Sequence, residues 1–93
     1  MEALAIVDLG PRLTPVAIRH ARLGLEWRVL QVLEDWTTRE YHALVGTPAE
    51  TKQFRVRVRG PLPGNPSADG EFVMAIRRYG DRGGWWVCPG EHP

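Results

Sequence analysis

The 93-residue chain has a single cysteine, Cys88, which excludes an internal disulfide framework and any multi-cysteine zinc or iron–sulfur site. Long apolar runs are missing as well. The longest surrounds Leu4, Ala5, Ile6 and Val7, against the roughly 20 residues that a membrane helix needs. Glu2 follows Met1 directly, so no basic stretch precedes an apolar one and no signal peptide is readable. The expectation from these absences is a cytoplasmic protein with no membrane contact. Metal-ligand spacings such as H-x-H or C-x-x-C do not occur around His20, His42, His92 and Cys88. Phosphate-cradling glycine motifs and a G-x-S-x-G elbow are absent too. Glu34 and Asp35 are adjacent, so on a strand they point apart and share neither a metal nor a proton. No catalytic residue, metal or cofactor is therefore expected. Cys88 on an apolar strand reads as an inert core thiol, the alternative being a nucleophile paired with His20 or His42.

Turn-forming residues are plentiful, with 10 Gly and 8 Pro. No repeat of 20 to 50 residues occurs, and the length fits one small domain over residues 1–93. Gly10-Pro11, Gly24, Gly46-Thr47-Pro48, the run Gly60-Pro61-Leu62-Pro63-Gly64-Asn65-Pro66, Asp69-Gly70 and the glycines at 80, 83 and 84 cut the chain into segments of strand length. In residues 54–59, Phe54, Val56 and Val58 alternate with Arg55, Arg57 and Arg59, the pattern of a strand with one core face and one cationic face. Residues 72–79 carry apolar side chains on both faces, as a central strand does. The glycine-containing loop 80–84 joins them in a hairpin to Trp85-Trp86-Val87-Cys88.

A second hairpin is expected around Gly24, from residues 15–23 and 25–36, with Val16 and Ile18 facing in. Within 25–36 a strand reading requires a bulge that lets Leu30 and Val32 continue the inward phase. A helix reading places Val29, Val32, Leu33 and Trp36 on one stripe; the strand is preferred, with Thr37-Thr38 favouring a break after it. Residues 1–10 read as an edge strand, a short helix or a frayed terminus, residues 60–67 as a rigidified long loop, and residues 89–93 as a flexible tail. The expected architecture is all-β: a five-stranded antiparallel half-open barrel of the SH3-like kind, with a short helix as an option.

These features, in order, are Val29-Leu30-Gln31-Val32-Leu33-Glu34-Asp35-Trp36, a polar stretch, Phe54-Arg55-Val56-Arg57-Val58, Phe72-Val73-Met74-Ala75-Ile76-Arg77-Arg78, and Gly84-Trp85-Trp86-Val87. The order resembles a family of small bacterial domains of unknown function that read E-V-x-D-x-W, Y-Y/F-R-V, E-L-Y-R-D and G-W-W/Y-L. Some members are similar to companions of translesion DNA polymerases, by fusion or gene neighbourhood. The resemblance spans residues 15–88. It departs at Met74-Ala75-Ile76, where the family tends to have Leu-Tyr, and in a longer 60–67 loop. It implies a DNA-repair setting and brings no catalytic residues.

The net charge of +1 conceals blocks of opposite sign. Residues 12–33 carry an excess of three positive charges, 34–50 an excess of three negative, 52–59 four positive, and 77–82 two positive. Alternate residues on a strand lie about 6.8 Å apart, near the spacing of successive phosphates. Arg55, Arg57 and Arg59, with Lys52 before them, are accordingly expected to track a nucleic-acid backbone, with Arg19, Arg77 and Arg78 flanking. The competing reading is a solvated strand face whose charges discourage edge pairing. Trp85 and Trp86 are adjacent, so one is core and the other free to stack on a base; Trp27, Trp36 and Tyr41 are further platforms or core. The functional expectation is a non-enzymatic binder of nucleic acid, most simply single-stranded, in DNA repair or damage tolerance. The alternative is a protein-interaction module that docks on a DNA polymerase or other repair factor.

Overall fold

The structure, a computed structural model, describes residues 2–42, 47–80 and 83–88, and side chains outside 40–49. Six strands follow one another around a closed antiparallel barrel: β1 (Ala3–Leu9), β2 (Pro15–His20), β3 (Glu26–His42), β4 (Thr47–Leu62), β5 (Asn65–Tyr79) and β6 (Trp85–Cys88). Each strand pairs with the next, and β6 returns to β1 through Ala3–Val87, Leu4–Trp86 and Ala5–Trp85. The expected half-open, five-stranded form is thus corrected to a closed, six-stranded one. The N-terminal segment is not an edge, because β1 is paired on both sides. The only helical element among the described residues is a 3-10 turn at Pro11–Leu13. The expected tail at 89–93 lies outside the described residues.

Strand alternation fills the barrel. Ala5, Ile18, Trp27, Phe54, Val56, Val58, Met74 and Ile76 form the buried cluster, and Val7, Val29, Val32, Phe72, Trp85 and Val87 pack against it. Trp27 meets Phe72 edge-on with ring centroids 6.2 Å apart, and Phe54 lies 5.8 Å from Trp85. The Trp27 indole donates to the Pro61 carbonyl at 2.8 Å and lies over Gly60. A Cβ at Gly60 would sit 2.8 Å from Trp27 Cδ1 and 2.7 Å from the Glu26 carbonyl oxygen, so only glycine permits this approach.

β3 is a strand throughout, including Thr37 and Thr38, which continue it without a break. Two register shifts occur, between Val29 and Gln31 and between Val32 and Glu34. The bulged residues are Leu30 and Leu33, so Val29 and Val32 keep the inward phase and Leu30 is turned out, correcting its expected inward place. Val16 is likewise exposed. A register shift where Leu9 pairs with Pro15 turns Pro15 inward and Val16 outward. The 60–67 segment is not a long loop: pairing persists to Leu62–Asn65, and Pro63-Gly64 makes a two-residue turn. Gly24, at φ +71°, supports the turn into β3, as its left-handed conformation requires.

Candidate nucleic-acid interface

Because β4 is paired by β3 on one side and β5 on the other, its outward residues sit in the middle of a three-stranded outer face. Arg55, Arg57 and Arg59 are those residues, as the alternation predicts. Discouraging edge-to-edge pairing is not their role, since β4 is not an edge. Each arginine meets a neighbour supplied by the register. Arg55 Nη1 lies 3.4 Å from Glu34 Oε1, Arg57 Nη2 donates to Gln31 Oε1 at 2.7 Å, and Arg59 Nη1 lies 3.7 Å from Glu71 Oε2. The acidic start of the 34–50 block is therefore laid beside the basic 52–59 block. These pairs are half-exposed: side-chain exposures are 42% and 56% for Arg55 and Glu34, and 56% and 50% for Arg59 and Glu71. Ion pairs of this kind contribute about 0–1 kcal/mol and exchange readily for another anion.

The same face holds a residue that the sequence reading did not place in the site. Arg28 is the cross-strand partner of Arg59, and like charges directly opposite repel. Both arginines line a groove of about 530 Å³ together with Trp27, Leu30 and Pro61, and the acidic Glu26 and Asp69 line it too. Arg28 sits far from the 55–59 ladder in sequence, and only the β3–β4 register reveals the pairing.

Arg77 lies outward on β5, one row along, between Gln53 and Trp86. It is already engaged. Arg77 Nη1 donates to Glu2 Oε1 at 2.8 Å and to the Tyr79 hydroxyl oxygen at 2.9 Å, and the Tyr79 hydroxyl donates to Glu2 at 2.6 Å. Burial works against the Arg77 charge, but the hydrogen bond with Tyr79 and the charges of Cys88, Tyr79 and Glu2 outweigh it and hold its pKa above the ordinary value. Burial, followed by the hydrogen bond to Glu2, pushes the Tyr79 phenol up from its ordinary 10.0. Arg77 thus ties the N-terminus to β5 and is held less freely than the ladder arginines.

The remaining expected site residues are distributed elsewhere. Lys52 and Arg78 are cross-strand partners in the inward phase, at one end of the barrel. Lys52 Nζ stands 5.5 Å from the Phe54 ring centre and 3.6 Å from Asp35 Oδ1, and Arg78 stands 5.9 Å from the Trp85 ring centre. They cap the core aromatics and face away from the arginine ladder. Arg19 projects from β2 opposite Glu26. Trp85 packs on Phe54 inside the barrel, whereas Trp86 is outward and its indole donates to the Gly83 carbonyl. Trp36, also outward, is 39% exposed and flanks Gln53 from the β3 side. The row Trp36, Gln53, Arg77, Trp86 crosses four strands beside the ladder. Tyr41 falls among residues whose side chains are not described.

His20 Nδ1 accepts from the Leu23 backbone at 3.1 Å, a turn contact, and Cys88 Sγ lies 3.8 Å from Glu2 Oε1 in the Arg77 network. Among the described residues no group of three potential metal ligands occurs. Compared with known protein families, curated proteins and solved structures, the chain matches none.

Proposed function

We propose that the outer face of β3, β4 and β5 binds the backbone of nucleic acid, without catalysis. Arg28, Arg55, Arg57 and Arg59 contact phosphates, and Trp86 and Trp36 offer flanking surfaces for bases. The observation that carries this reading is the Arg28–Arg59 pair beside Arg57. Arg57 is held only by a neutral amide, and among the described residues no carboxylate contact of Arg28 is seen. Glu71, half-exposed and 3.7 Å from Arg59, offsets the repulsion of the pair only in part, and a phosphate bridging the two opposed guanidinium groups turns it into attraction. Single strands suit the face better than duplex, since the exposed Trp36 and the partly exposed Trp86 can stack on unpaired bases. The DNA-repair setting rests on the family resemblance.

Titration of a fluorescently labelled single-stranded oligonucleotide at low salt tests the reading. The expected affinity falls steeply as salt rises, with Arg28→Ser/Arg57→Ser/Arg59→Ser removing it. Absence of binding at low salt defeats it. A second reading, docking of a repair protein, draws on the exposed apolar residues Leu30 and Leu33 on β3. It predicts association that tolerates salt.

A further inference from the structure

The groove beside Arg28 and Arg59 carries charges of both signs. Strand register arranges them in two rows on the outer face. Glu71 of β5, Arg59 of β4, Arg28 of β3 and Ala17 of β2 form one row. Two residues along each strand, the next row sets Asp69 opposite Pro61 and Glu26 opposite Arg19, of which Arg19 does not line the groove. Residues two apart on a strand share a face about 6.8 Å apart. A cationic pair and two carboxylates therefore stand side by side across the groove. They do not neutralise one another: among the described residues, no ion pair or side-chain hydrogen bond holds Glu26, Asp69 or Arg28. Between the rows the floor is low. Ala17 has only a methyl group, Gly60 has no side chain, and the Trp27 indole is engaged by the Pro61 carbonyl at 2.8 Å. The volume of about 530 Å³ falls within the range of about 300–1,000 Å³ usual for small-ligand sites, which likewise combine an apolar lining with a few convergent polar groups.

We propose that this groove holds one guanine nucleotide, its phosphate bridging Arg28 and Arg59 and the hydrogen-bonding edge of its base on the carboxylates of Glu26 and Asp69. The inference rests on the reading of Arg28 and Arg59 as phosphate contacts. Carboxylates only accept hydrogen bonds, so the group that faces them must donate. Guanine presents N1–H and its 2-amino group side by side, and one carboxylate accepts both. Adenine and cytosine present one amino donor beside an unprotonated ring nitrogen, and thymine one N–H between two carbonyls. Each of those bases aims lone pairs at the carboxylate as well, so guanine is favoured. A further phosphate over the acidic row is repelled, so the backbone leaves this face after Arg59 rather than continuing along β4. Guanine within a strand and a free guanine nucleotide offer the groove the same chemistry.

The test titrates the intact protein, at low salt, into labelled oligothymidylates carrying one central dT, dG, deoxyinosine, dA or dC. The dG strand is expected to bind about fivefold or more tighter than the all-thymidine strand, the low end of what one bidentate base contact discriminates. Deoxyinosine, which lacks the 2-amino group, is expected to lose most of that gain. In Glu26→Gln/Asp69→Asn the preference is expected to vanish while the all-thymidine strand binds at least as tightly, because two negative charges are gone. That retained binding also shows the variant to be folded. GMP that displaces the dG strand where TMP does not identifies a free nucleotide as the ligand, and GMP that fails to displace it identifies guanine within a strand. Equal affinity for all strands overturns the inference and leaves backbone binding standing. So does a guanine preference that survives the carboxylate variant, where a uniform rise in affinity would mean that Glu26 and Asp69 only repel phosphate. Absence of binding to any strand defeats both readings.

Discussion

Arg55 and Glu34 are cross-strand partners on the outer face, with Nη1 3.4 Å from Oε1, although they lie in oppositely charged blocks of the sequence. Glu34 thus competes with any phosphate for Arg55, as Glu71 does for Arg59. Glu34→Gln/Glu71→Gln is expected to tighten single-stranded DNA binding several-fold and to change unfolding free energy by less than about 1 kcal/mol per site. Anisotropy titration with denaturant melts measures both; unchanged or weaker binding argues against the ladder as the contact surface.

The two adjacent tryptophans separate by role. Trp85 is partly buried and packs against Phe54 at the edge of the core, and Trp85→Ala is expected to cost about 2–3 kcal/mol in urea unfolding. Trp86→Ala is expected to cost less and to weaken oligonucleotide binding by about 1 kcal/mol or more, the scale of one base stack.

Gly60 is required by the Glu26 carbonyl and by the indole above it. Gly60→Ala forces a methyl against Trp27 and the Glu26 carbonyl, with an expected loss of about 1–3 kcal/mol. Trp27→Phe, which removes the hydrogen bond to Pro61, should lower the penalty of the alanine in a double-mutant cycle. Strictly additive losses would show that the indole does not set the glycine requirement.

Tyr79 carries a pH dependence. Its pKa is raised by burial and then by the bond to Glu2, so the folded state favours the protonated phenol. The stabilisation is complete below the ordinary phenol pKa of 10.0 and is lost as pH climbs through the higher folded value. Thermal melts between pH 8 and 11 should show a fall in the natural protein that Tyr79→Phe reduces, with Tyr79 ionising, by ultraviolet absorbance, later than a free phenol.

Much of the strand content is legible because alternation has a period that cannot be mistaken: Phe54, Val56 and Val58 against three arginines admit only one facing. The bulge in 25–36 is foreshadowed by the phase change between Val29 and Val32. Its direction is not, because Leu30, Val32 and Leu33 are equally apolar and only the pairing with β4 decides which are skipped. β1 is illegible for a related reason. Leu4 and Ile6 on its outer face are as apolar as Ala5 and Val7 on its inner face, so nothing in the residues marks it as the strand that closes the barrel.

By itself the sequence determined a small all-β domain, the inward face of β4 and the outward arginines, since these follow from side-chain period and turn chemistry. Tertiary structure alone decided what those arginines meet. Charge blocks separated along the chain become neighbours when antiparallel pairing folds 34–35 back on 52–55, and the same register sets Arg28 against Arg59. Electrostatic energy depends on distance in space, which sequence separation does not report, so the segregation visible in the sequence is partly cancelled in the fold and survives most clearly around Arg28 and Arg57.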